Sequence, residues 1–181
     1  MRLPVNFTNL EFDRTVGNAS GPKLVITIMS SDLLFESIRS GNTQKVKMLL
    51  DANPELVGVK DQRGSTPLLL ATYYGVKDMS SVILKFNPEI NAQDAAGNTA
   101  LMGVSFKGYL EIAELLINAG ADVNIKNFNQ GTALIFAVTF GQKEMIKLLL
   151  AHGADPTIKD NTGKTAIEHA ANQGFDLLSM S

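Results

Sequence analysis

The sequence predicts an all-α repeat fold, a stack of helix-turn-helix units, and three regularities carry that prediction. Thr66, Thr99, Thr132 and Thr165 recur at an even spacing of 33 residues. Gly75, Gly108, Gly141 and Gly174 keep the same interval, and so do the polar residues Asp61, Asp94, Asn127 and Asp160. At a fixed offset after each Gly comes an apolar block: Val82-Ile83-Leu84, Leu115-Leu116-Ile117 and Leu148-Leu149-Leu150. A unit of this size cannot bury its own apolar face, so successive units must stack into one continuous core.

The clearest unit runs from Asp94 to Asn127, DAAGNTALMGVSFKGYLEIAELLINAGADVNIKN. Its T-[PA]-L core, mid-unit Gly and closing Gly-Ala-Asp resemble the ankyrin repeat, in the style of a bacterial ankyrin protein. The resemblance covers roughly residues 30–181 and implies an ankyrin solenoid: helix-turn-helix units joined by β-hairpin-like loops. Three full repeats are expected at about 61–93, 94–126 and 127–159, between two capping repeats at about 30–60 and 160–181. Residues 1–29 share nothing with the repeats and read as an N-terminal extension.

That extension is rich in Asn, Thr and Gly, with a loop signal at Asn18-Ala19-Ser20-Gly21-Pro22. Within it Leu24 to Ile28 reads as a short β-strand against the first repeat, as part of a disordered tail, or as a stretch preceding a start at Met29. The first unit follows. Ser31 is placed to cap a helix through Phe35 and Ile38, because its hydroxyl can accept an orphaned backbone N–H. Gly41 ends that helix in the left-handed conformation. The second helix carries Val46, Met48, Leu49 and Leu50. Gly41 to Gly75 spans 34 residues, and comparing ANPELVGVKD with FNPEINAQD places the extra residue after that second helix. Loops take such insertions at little cost.

In each full repeat the first helix starts near Thr66, Thr99 or Thr132, and the middle member of each apolar block points into the shared core. Ala71 and Ala137 mark close approaches between first helices, with Val104 a bulkier departure. Gly120-Ala121-Asp122 and Gly153-Ala154-Asp155 turn the chain out of the second helix at positive φ. The second repeat has Asn87-Pro88-Glu89 there, so its loop is expected to differ locally. Asp61, Asp94 and Asp160 fold their carboxylates back onto hairpin N–H groups. The last repeat is truncated: seven residues follow Gly174, and Glu168, His169, Asn172 and Gln173 suit a solvent-facing cap.

Composition narrows the function classes. Net charge is −2 and the isoelectric point near 5.7, which leaves no electrostatic footprint for nucleic acid. There is no cysteine, hence neither a disulfide framework nor a thiolate metal site. A mean hydropathy of +0.07 and short apolar runs leave no transmembrane helix, and MRLPVNFTNLEFDR lacks a signal-peptide pattern. A cytoplasmic protein without a membrane or nucleic-acid partner is expected. His152 and His169 are the two histidines; they sit in different units, and no carboxylate spacing recommends either as a metal ligand or catalytic base. No phosphate-binding glycine motif is present. The chain reads as a non-enzyme, without cofactor or metal.

The ankyrin resemblance implies that hairpin tips and first helices line a concave groove that binds other proteins. Carried over position by position, it puts Arg63 and Phe128 on tips and Tyr73, Tyr74, Phe106, Lys107 and Phe140 at the ends of first helices. Three Tyr and nine Phe are all the chain's aromatics, and five of these twelve fall on this set, so the groove is enriched in rings. Phe140, Tyr73 and Phe106 would be anchors, with Arg63 and Lys107 giving polar selectivity. Phe136, one turn before Phe140, extends the patch. Each ring has a second reading as packing on its neighbour, Phe106 above all, because Gly103 beside it leaves room. A protein-binding module, monomeric, is the main reading; self-association through the aromatic groove is its rival. The resemblance does not name the partner. Third after each Thr, where the family commonly has His, stand Leu69, Met102, Ile135 and Glu168, which predicts a drier interior.

Overall fold

The computed structural model describes residues 21–177 and residue 179, with backbone alone for 21–28. The extension's first twenty residues, with most of the loop signal at 18–22, therefore lie outside the described residues. Nine α-helices occur among those described: α1 (Gly21–Arg39), α2 (Thr43–Ala52), α3 (Pro67–Tyr73), α4 (Lys77–Leu84), α5 (Ala100–Lys107), α6 (Leu110–Asn118), α7 (Ala133–Thr139), α8 (Lys143–Ala151) and α9 (Ala166–Asn172). A 3₁₀ helix, Pro54–Gly58, follows α2, where the extra residue of the first unit was expected. The odd-numbered helices stack in one layer and the even-numbered helices in a second, so contacts run from each repeat to the next.

Each first helix starts because its threonine can do two things at once. Thr66, Thr99, Thr132 and Thr165 hold extended backbone, and each Oγ1 accepts from the N–H three residues on, at 3.3, 3.3, 3.3 and 3.2 Å. One orphan donor is thereby satisfied at the starts of α3, α5, α7 and α9. The next residue, Pro67 or an alanine, opens the helix without needing a partner for its N–H. The tips follow the same economy. Asp94 Oδ1 accepts from Ala96 N and Asn98 N, both at 2.8 Å, and Asp61 and Asp160 repeat the pattern. Asn127 does so with its amide oxygen, at 3.0 and 2.9 Å. Successive tips are tied by Ala95 N to Arg63 O, Phe128 N to Ala96 O, and Asn161 N to Asn129 O.

The core is a ladder of like positions. Ile83, Leu116 and Leu149, the middle members of the three blocks, are fully buried, as are Ala71, Val104 and Ala137 between first helices. Leu69, Met102 and Ile135 are buried where the family commonly carries His, so apolar contact replaces a polar network there. Thr72, Ser80 and Ser105 are buried too, each hydroxyl bonded to a carbonyl one turn back in its own helix. At the C-terminal end Leu177 is buried and closes the core after Gly174.

Three expectations are corrected. Leu24 to Ile28 is neither strand nor tail: its backbone is helical, because α1 begins at Gly21 and runs unbroken to Arg39. Ser31 consequently sits in mid-helix and caps nothing at an N-terminus. His169 is not a solvent-facing cap residue but is half-buried against Asp160. The Asn87-Pro88-Glu89 loop does differ locally, as expected. Helix α4 ends one residue short of the places where α6 and α8 end. Pro88 has no N–H to match the bonds from Ala121 N to Leu116 O and from Ala154 N to Leu149 O. Asn87 nevertheless keeps φ of 51° at the place held by Gly120 and Gly153, a conformation that asparagine tolerates better than most side chains.

The mid-unit glycine recurs because Gly75, Gly108, Gly141 and Gly174 all hold positive φ, and at Gly75 a close approach is added. There φ is 72°, and a Cβ would come within 2.7 Å of the Tyr109 ring of the next repeat. Both the turn and the close approach therefore require glycine.

Candidate functional site

The tips and three columns on the first helices make up one face of the stack. Counting from the capping Thr, the fourth residue gives Leu70, Gly103, Phe136 and His169. The seventh gives Tyr73, Phe106, Thr139 and Asn172, and the eighth gives Tyr74, Lys107, Phe140 and Gln173. Spacings of three and four keep these columns on one side of each short helix.

The exposed rings fall here. Tyr73 is 48%, Tyr74 46%, Phe140 50% and Phe128 69% exposed, values unusual for such large apolar groups. Phe106 is half-buried. Tyr73 and Tyr74 meet edge to face with ring centroids 5.9 Å apart, and Phe106 meets Phe140 of the next repeat at 4.4 Å. Lys107 Nζ bridges the two pairs, 5.0 Å from the Tyr73 centroid and 5.2 Å from that of Phe106. Cations attract ring faces at such distances, so the lysine stitches the stripe together. Tyr73, Tyr74, Phe106, Lys107 and Phe140 are thus brought into one surface. Phe128 stands apart on its tip, its ring lying over Gly97, where a Cβ would approach it to 2.7 Å. Arg63 is exposed on the tip that borders Tyr73 and Tyr74.

Between these rings lies a cleft of about 320 Å³. Leu70, Tyr73, Gly103, Phe106 and Phe136 line it, and Asp94, Asn98 and Arg63 stand at its tip side. Gly103 makes the cleft. It lies inside α5, and a Cβ there would touch nothing within 4 Å, so neither a turn nor a close approach calls for glycine. Such a helical glycine costs about 0.5–1 kcal/mol relative to alanine. Of the lining residues, Leu70 has no role in the reading of the sequence; the column Leu70, Gly103, Phe136, His169 is the signal that points to it. Beside this cleft a second, more polar one of about 550 Å³ lies between α1 and the first tip, holding Arg39 against Asp61.

Electrostatics concentrate at the tips. Arg39 Nη2 lies 3.2 Å from Asp61 Oδ2, and His169 Nε2 lies 2.7 Å from Asp160 Oδ2. Burial pushes the Asp160 carboxyl up, but hydrogen bonds from Thr162, His169 and Lys164 outweigh it and hold the group at about 2. Among the described residues no three His, Asp or Glu side chains come together as a metal site. No helix among them is long and apolar enough to cross a membrane.

The family model described as ankyrin repeats (3 copies) matches residues 34–127 and again 108–180. The chain belongs to the ankyrin repeat family. Ankyrin repeats generally serve as protein–protein interaction modules, without catalysis of their own.

Proposed function

We propose that this ankyrin repeat protein docks a protein partner on its concave face. Tyr73, Phe106 and Phe140 act as anchors, Tyr74 and Phe128 extend the contact, and Arg63 and Lys107 select polar groups on the partner. One observation carries the reading: a continuous stripe of half-exposed rings, paired edge to face and bridged by Lys107, on a rigid helical support. Rings bury much area at little entropic cost, which is why interface centres favour them. In this reading the protein is a cytoplasmic monomer with no catalytic, nucleic-acid or membrane role. The near-neutral charge and the absence of a basic patch in the composition are consistent with it.

The test is a pull-down from source lysate with wild type and a Tyr73→Ala/Phe106→Ala/Phe140→Ala variant, both checked by far-UV circular dichroism. A protein retained by wild type alone supports the reading and identifies the partner. Matching eluates count against it, and a size that grows with concentration in analytical ultracentrifugation would point to self-association through the same stripe.

A further inference from the structure

The three tip carboxylates differ in one respect that the repeat symmetry exposes. In each, Oδ1 is consumed by two backbone N–H groups of its own hairpin. For Asp61 the second oxygen receives the Arg39 guanidinium, and for Asp160 it receives the His169 imidazole. For Asp94 the second oxygen has, among the described residues, the Asn98 side-chain amide alone, at a long 3.4 Å. His169 and Gly103 occupy the same place in their repeats, 66 residues apart. Where the last repeat fills the space between tip and first helix with its own imidazole, the third unit leaves a cleft floored by glycine.

Resting on the docking role above, we propose that this cleft receives a nitrogen-bearing aromatic side chain, an imidazole or indole, from a partner segment that also carries acidic residues. The ring N–H would be donated to Asp94, as His169 donates to Asp160, with Phe106, Phe136 and Tyr73 as walls. At about 320 Å³ the cleft lies at the small end of ligand sites, a scale suited to one side chain. The protein's own His169 on Asp160 is the internal precedent for the fit. Charge decides between a neutral ring and a guanidinium. Arg63 lines the cleft, and Lys107 sits over two of its walls, so an added full positive charge is opposed while flanking carboxylates are welcomed.

Two variants change the cleft while leaving every ring of the stripe in the sequence. Gly103→Leu fills the cleft from inside a helix, in space where nothing is displaced by the first added atom. Asp94→Asn keeps the hairpin, because Asn127 makes the same two backbone bonds in the next repeat, yet it puts a donor where the acceptor stood. The probe is a phage-displayed library of random dodecapeptides selected on wild type. Enriched sequences are expected to hold Trp or His close to Asp or Glu. A synthetic peptide of that sequence should bind wild type about tenfold or more tighter than either variant. Replacing its Trp or His by Leu should abolish the dependence on Asp94.

Several results overturn the proposal. One is failure to enrich any sequence; another is enrichment of sequences without such a ring; a third is a peptide indifferent to both variants. A peptide lost on Phe140→Ala but indifferent to Gly103→Leu and Asp94→Asn overturns this inference and leaves groove docking standing. Indifference to all three removes both.

Discussion

Phe106 and Phe140 meet edge to face across a repeat boundary, ring centroids 4.4 Å apart and planes at 89°. They belong to different columns, the seventh and eighth positions after the capping Thr, so the contact is diagonal along the stack. One partner is half-buried and the other half-exposed, which gives the pair a packing role and leaves a face free.

Phe106 and Phe140 should therefore be coupled by about 0.5–1.5 kcal/mol, the range of such ring pairs beyond area burial. Urea unfolding of the two single alanine variants and the double Phe106→Ala/Phe140→Ala variant measures it. The double should cost less than the sum of the singles. Additive losses would mean that the rings do not interact.

Leu116→Ala removes a fully buried side chain from the centre of the stack and should cost about 2–5 kcal/mol. Met48→Ala, at a 65% exposed site in α2, should stay within about 0.5 kcal/mol of wild type. Paired denaturant titrations compare them. Equal losses would contradict the buried ladder.

Gln130 holds φ of 60° at the tip place where Gly64, Gly97 and Gly163 sit at 74°, 80° and 78°. A side chain there bears left-handed strain of about 1–2 kcal/mol, partly offset by the lower chain entropy that glycine would restore. Gln130→Gly should thus stabilise, by about 0.5–1 kcal/mol net. Gly97→Ala should destabilise by more than about 1 kcal/mol, from the same strain plus the clash with Phe128. Thermal unfolding shows the signs directly, and they should be opposite.

Asp160 supplies an acid-sensitive stability term. Its folded-state value of about 2 lies below the ordinary 3.8, so its contribution is present in full above the ordinary value. It is lost as pH falls from near 4 through about 2. Asp160→Asn, which Asn127 shows to be compatible with the tip, should flatten that part of the acid limb. Unfolding followed from pH 5 to pH 2 tests it; an unchanged acid limb would assign the loss to other carboxylates.

The period itself could be read from sequence because each marker has a local job. A threonine that caps, an aspartate that folds onto its own hairpin and a glycine at positive φ act within a few residues of themselves. Their spacing therefore reports the fold without knowledge of the stack. The same locality explains the errors at the N-terminus. The stretch Leu24-Val25-Ile26-Thr27-Ile28 has strand composition, and Gly21-Pro22, where α1 begins, reads in the sequence as the end of a loop signal although proline also suits a first helical turn. His169 misled for the opposite reason: its partner Asp160 is nine residues away, and the hairpin bend that joins them is invisible as spacing.

By itself, then, the sequence determined the repeat, its register, the helix starts and the buried column of Ile83, Leu116 and Leu149. It also marked the tips and helix ends as the variable face. Only the tertiary structure decided which of those residues meet, because stacking brings together groups about a repeat apart that no local rule connects. That is how Phe106 finds Phe140, how Lys107 comes to lie over Tyr73, and how Gly103 comes to floor a cleft beneath Asp94.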